Sequence, residues 1–227
     1  MAHPIYLVGG SKGGVGKSLV TMALVDFLQQ ARRDLLLVDS DTTNPDVARC
    51  YRDEIPTELI DLDQADGWIS LVNTCESHPG STVVINTAAG SMTAVEAFGR
   101  TLGSTLRELR RKLVALWVIN RQRDSLELLR AFLGCMPEAE THVLRNAFFG
   151  DEGKFELYNA SKVREAVERQ HRGSSLTFPV VADRITDDIY SRRLSIARAD
   201  AQMPIANRAE LLRWRGECRA MFAQVIA

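Results

Sequence analysis

The chain has 227 residues, 45% hydrophobic and 25% charged, with a formal net charge of −1. These figures fit a globular chain long enough to bury a core without disulfide or metal staples, and they exclude a disordered or fibrous one. No apolar run reaches the roughly 20 residues of a membrane span, and the start MAHPIYLVGG has no basic, long-apolar secretory signal, so a cytoplasmic location is expected.

In chain order, IYLVGG (5–10) reads as a buried strand that runs into a glycine loop. The following KSLVTMALVDFLQQARR reads as a helix with Val20, Leu24, Phe27 and Leu28 on one face. DLLLVDSD is a second strand, apolar until its two aspartates. STVVINTAAG, KLVALWVIN, THVLRNAFF and SLTFPVV supply four more. Helices are expected around 65–77, 91–111, 124–135, 155–171, 183–200 and 207–226. Apolar strands alternating with helices predict an α/β fold: a doubly wound, mostly parallel sheet with helices on both faces. With no repeat or linker to split the chain, residues 1–227 form one domain.

Ligands of such sheets sit at the carboxyl ends of the strands. Lys12 to Ser18, Asp39, Asp41, Asn86, Asn120 and Asn146 all close strands, so they converge on one rim. Cys50, Cys75, Cys135 and Cys218 lack CxxC spacing and read as free thiols rather than metal ligands. From Ser161 onward 12 lysines and arginines face 8 acids, against 16 and 21 before it. That basic third permits contact with nucleic acid or an acidic partner, although solvated helix faces carry the same charges.

Gly10 to Ser18 satisfies G-x-x-x-x-G-K-S between a strand and a helix. Gly13, Gly14, Val15 and Gly16 can turn successive N–H groups toward a phosphate, and the next helix aims its positive end at the same point. Lys17 reaches the β- and γ-phosphates, Ser18 offers a hydroxyl to Mg²⁺, and Leu19 completes the nucleotide-binding run.

The earlier lysine narrows the class. KGGVGKS resembles the deviant Walker A signature of the ParA/MinD family of P-loop ATPases. That resemblance implies Mg·ATP as cofactor and an ATP-induced homodimer in which Lys12 acts in trans and Lys17 in cis. The second cation would offset charge that develops on the transferred phosphoryl group. LLLVDSDTTNPD resembles the family's first switch, with Asp41 matching the carboxylate that activates water and Asp39 supporting the metal. The Thr42-Thr43 that follows departs from the family's usual proline and glutamine. The DxD also fits an acidic loop, or a cap for PDVARCY in which Asp46 takes part.

STVVINTAAG departs further: the family's metal-site aspartate is replaced by Asn86, while the γ-phosphate-sensing glycine is kept as Gly90. An amide brings no charge to Mg²⁺, so slow hydrolysis is expected, and Asn86→Asp is expected to raise turnover. Asn146 matches the family's purine-recognising asparagine, and FPVVADRITDDIYSRRLSIARADAQMPI its last strand and base-covering loop. No guanine-reading N/TKxD motif closes a strand, which favours adenine.

Within the family, the absence of paired cysteines removes the iron–sulfur and tail-anchor branches. With a loop this close to the start, an amino-terminal helix-turn-helix is not expected. The helix NRAELLRWRGECRAMFAQVIA is amphipathic through Leu211, Trp214, Cys218, Met221, Phe222 and Val225, a spacing better explained by packing on its own sheet than on lipid. Two functions follow. The first is an ATP switch in plasmid partition, mobilisation or cargo positioning, with a plasmid-transfer or partition protein as partner, or non-specific DNA met by Arg192, Arg193, Arg198, Arg213, Arg215 and Arg219. The second is an amide-forming synthetase on the same scaffold, using Thr87, Ser91 and Thr93 beside the γ-phosphate.

Overall fold

The computed structural model describes residues 3–10 and 12–226; within the glycine loop, Ser11 lies outside the described residues. Seven parallel strands form one sheet in the order β3-β2-β4-β1-β5-β6-β7. They are β1 (Ile5–Gly10), β2 (Leu35–Asp39), β3 (Thr57–Leu59), β4 (Thr82–Asn86), β5 (Leu113–Ile119), β6 (Glu140–Asn146) and β7 (Ser175–Phe178). Six were expected. The seventh, β3, is a short edge strand beside Leu37–Asp39, with little apolar content to reveal it in sequence.

Alternation along each strand feeds two cores. Tyr6 and Val8 of β1 point into one, Ile5 and Leu7 into the other. The first core is covered by α1 (Lys17–Gln30), α2 (Asp46–Tyr51), α9 (Asp183–Arg192), α10 (Ile196–Gln202) and α11 (Ile205–Phe222). The second is covered by α3 (Ala65–Ser77), α4 (Met92–Phe98), α5 (Arg100–Thr105), α6 (Arg123–Cys135), α7 (Glu156–Asn159) and α8 (Lys162–Arg169).

Three helices expected to be continuous are broken, each for a local reason. The 91–111 helix divides at Gly99, where a β-carbon would come within 2.8 Å of the Met136 sulfur. The 155–171 helix restarts at Ser161, whose hydroxyl caps α8 by accepting from Arg164 N at 3.1 Å. The 183–200 helix stops at Arg193, in the left-handed region at φ 51, and restarts under a Ser195 cap.

α1 is more deeply buried than its expected single apolar face. Val20 to Asp26 are all buried, because α11 packs over the side turned from the sheet. Phe27 meets Phe222 at a ring distance of 5.5 Å, and Trp214 stacks edge-on against Phe178 at 5.9 Å. Buried among these contacts, Asp26 receives two hydrogen bonds from Arg215, at 2.8 and 3.0 Å, and Arg215 also bonds Asp200. Leu211, Trp214, Cys218, Met221 and Phe222 all lie in this chain's own core, and Val225 packs against it. Among the described residues no helix is long and apolar enough to cross a membrane.

Candidate functional site

The carboxyl ends of β1, β2 and β4 are neighbours, so the loops after them meet at one rim. Side chains knit those loops together. Thr87 donates to Val8 O at 2.9 Å, Ser40 Oγ accepts from Ala88 N at 3.1 Å, and Gly13 lies against Ala89. Thr87 thus spends its hydroxyl proton in joining β4 to β1, and its oxygen can still accept.

The glycine loop takes the expected shape. Gly14 and Gly16 have φ +75 and +104, a region costly for residues with a β-carbon, and Gly16 leads directly into α1. Lys17 is 7% exposed, and its Nζ donates to Lys12 O across the loop at 3.1 Å. Burial pulls this ammonium below the ordinary lysine value, while the Asp41 carboxylate opposes that shift. Lys17, Ser18, Asp41, Asp46, Thr87 and Tyr190 help to line a cavity of about 300 Å³ over the loop. The Ser18 hydroxyl has no hydrogen-bond partner among the described residues. Asp41 accepts from Asn44 N at 2.9 Å through Oδ1, which leaves Oδ2 for a ligand or water.

Asp39 and Asn86 are bonded to each other. Asp39 is fully buried; Oδ1 accepts from Asn86 Nδ2 at 2.9 Å and Asp41 N at 3.2 Å, and Oδ2 accepts from Ala48 N at 3.0 Å. Burial raises its carboxyl above the usual range, and these three donors hold it down. On the other side of Asn86, Oδ1 lies 3.0 Å from the Thr21 hydroxyl, which is equally close to Lys17 O. An ionised carboxylate only accepts, so Asp39 fixes the amide orientation of Asn86. Asp39 thus ties the loop after β2 and the start of α2 together, and Asn86 is one of the three donors that make its burial tolerable. Asn86 is held between Asp39 and Thr21, and an aspartate there would face a second buried carboxylate.

Asn146 is also committed. Its Nδ2 donates to Val15 O at 2.9 Å and its Oδ1 accepts from Phe148 N at 3.0 Å. A β-carbon on Gly16 would come within 2.6 Å of that amide nitrogen, so the loop closes down on Asn146. One amide hydrogen remains to face the adjoining cavity of about 230 Å³, lined by Leu19, Phe148, Phe178, Val181 and Tyr190. Its apolar walls suit a flat heterocycle. Tyr190 of α9 borders both cavities; it and Phe148, in the short turn after β6, escaped the sequence reading because a lone aromatic carries no spacing signal.

Lys12 stands half-exposed on the loop and forms an ion pair with Asp124 in the first turn of α6. That pairing draws the Asp124 carboxyl below its ordinary value, through the hydrogen bond first and the charge second. Asn120 is turned the same way, bonding Ser125 and Gln122 N to cap the turn into α6. Most of the candidate DNA-binding arginines are already engaged: Arg213 with Glu210 and Glu217, Arg215 with Asp26 and Asp200, Arg198 with Glu54, and Arg192 with Gln202. All four cysteines are free, and no group of metal-ligating side chains forms a cluster among the described residues.

A parallel sheet with a glycine loop, a buried lysine and a helix amino terminus over a cavity defines a P-loop nucleotide-binding protein. A family model described as the CobQ/CobB/MinD/ParA nucleotide binding domain matches residues 6–150, and the chain belongs to that family. It is 61% identical over 226 residues to protein MobD of Acidithiobacillus ferrooxidans, covering 100% of this chain and 99% of that one. Among solved structures it resembles the MinD cell division protein of Aquifex aeolicus, with a TM-score of 0.55 and 14% identity over 96% of this chain and 97% of that one. The MinC:MinD cell division protein complex of the same organism aligns at a TM-score of 0.50, with 16% identity and 96% of each chain covered.

Proposed function

We propose that this protein is an ATP-switched, dimerising P-loop ATPase that serves plasmid mobilisation. The observation that carries the reading is the pair of lysines. Lys17 is buried and turned into its own phosphate cavity, while Lys12 is on the loop surface with a single surface carboxylate as partner. A surface cation tied by one exposed ion pair is easily released.

The residues fit Mg·ATP. The N–H groups of Gly13, Gly14 and Gly16 would cradle the phosphates, and Lys17 Nζ would exchange the Lys12 carbonyl for phosphate oxygens. The unpartnered Ser18 hydroxyl would ligate Mg²⁺, and the walls formed by Phe178 and Tyr190 would hold adenine. Bound Mg·ATP supplies a γ-phosphoryl group polarised by the metal. Asp41 Oδ2 would orient a water and accept its proton. Lys12, freed from Asp124, would reach the phosphates of a second copy, so that nucleotide joins the pair. The mobilisation role is suggested by the name of the relative, protein MobD. A relaxase or coupling component is then the expected class of partner.

Light scattering with and without ATP tests the switch. A monomer that becomes a dimer with Mg·ATP alone, in wild type but not in Lys12→Ala, supports it. A monomer under both conditions, in protein shown to have bound ATP, refutes it.

A further inference from the structure

The end of the sheet opposite the nucleotide cavity carries a second recess of about 370 Å³. Its walls bear Arg107, Arg111, Lys112 and Arg172 against Glu138 and Glu140. These residues come from the turns that enter β5, β6 and β7, so adjacent strands bring their charges together. Arg111 is the unusual member. It is 7% exposed, its Nη2 donates to His78 O, and its Nη1 is buried with no hydrogen-bond partner. Burial lowers the affinity of this guanidinium for its proton, and the nearby Cys75 only partly opposes that.

Among the described residues none of the four cations has a carboxylate within ion-pair distance, and Glu140 turns to His142 at 3.3 Å instead. A buried guanidinium with an unsatisfied N–H and no counterion is costly unless something else supplies the charge. The recess adjoins another of about 530 Å³ that Arg111 also lines.

We propose that this recess is a second anion site that takes phosphate, either free or as the monoester of a small molecule. Four cations against two carboxylates leave an excess of two positive charges, which matches a phosphate dianion. The Nη1 of Arg111, which has no other partner, provides N–H donors suited to its oxygens. The concave, buried position of Arg111 and the two rim glutamates disfavour an extended polyanion such as duplex DNA, whose backbone cannot enter. The volume lies within the range of small-ligand pockets.

The test uses the full chain carrying Lys17→Ala, so that the phosphate loop does not compete. Inorganic phosphate is titrated in by calorimetry at pH 6 and pH 8, and glycerol phosphate is titrated in parallel. One saturable site is expected, tighter at pH 8, where the dianion dominates. Tighter binding of the ester would identify a small-molecule ligand, and equal binding free phosphate. Arg111→Met should weaken binding by about thirtyfold or more. The exposed pair Arg107→Ser and Arg172→Ser should weaken it less while leaving the circular dichroism unchanged, which guards against misfolding of the Arg111 variant. Absence of saturable binding, or equal binding by the Arg107/Arg172 double variant, would overturn the proposal.

Discussion

Replacing Asn86 by aspartate probes the centre of the site. In the wild type Asn86 Nδ2 donates to Asp39 Oδ1 at 2.9 Å, and the two residues are 2% and 0% exposed. An aspartate would turn that donor into an acceptor and place two carboxylates in contact without solvent, so one must hold a proton. Keeping a carboxyl of ordinary pKa near 3.9 protonated at pH 7 costs about 4 kcal/mol, at about 1.4 kcal/mol per pH unit. The sign follows from linkage. The shared proton has a folded pKa raised above its unfolded value, so the deficit relative to wild type is absent below the unfolded pKa. It then grows as pH rises toward the folded pKa, from about 1.5 kcal/mol at pH 5 to about 4 kcal/mol at pH 7. Urea unfolding of both proteins at pH 5, 6, 7 and 8 measures the difference. A pH-independent deficit, or equal stability at pH 7, would refute the reasoning. In the same variant turnover should not rise, contrary to what a simple metal-ligand view of position 86 expects.

Other substitutions separate binding from switching and stability. Lys17→Ala should abolish nucleotide binding in calorimetry, whereas Lys12→Ala should retain binding and lose the ATP-dependent dimer in light scattering. Asp124→Asn releases Lys12 from its partner in the same chain and should lower the ATP concentration needed for dimerisation; an increase would refute a restraining role for that ion pair. Gly16→Ala needs a left-handed backbone and sets a β-carbon 2.6 Å from Asn146 Nδ2, so nucleotide affinity should fall even if the thermal midpoint holds. Arg215→Met leaves the buried Asp26 carboxylate with Gln30 as a donor but no counterion, and should cost about 3 kcal/mol in urea unfolding. Adding Asp26→Asn should return part of that loss; a double variant no more stable than the single one would count against the buried pair.

The local chemistry of the glycine loop was written in the chain. Consecutive small residues, a lysine at fixed spacing and an apolar run on either side mark a strand, a glycine loop and a helix in that order. The parallel sheet followed from apolar strands alternating with helices, and the ordering of Leu211, Trp214 and Phe222 on one face foretold that α11 packs inward. Residues that act through long-range contact could not be read this way. Whether Asn86 meets a metal or Asp39 depends on β2 and β4 being neighbours, a pairing between residues 47 positions apart. The engagement of Arg215 by Asp26 joins α11 to α1 across 189 positions, and it converts a candidate DNA contact into a core ion pair. Sequence fixes what the backbone does over a few bonds, because sterics and spacing act locally. The counterion each buried charge finds is decided only when the sheet closes, because desolvation is set by the whole packed interior.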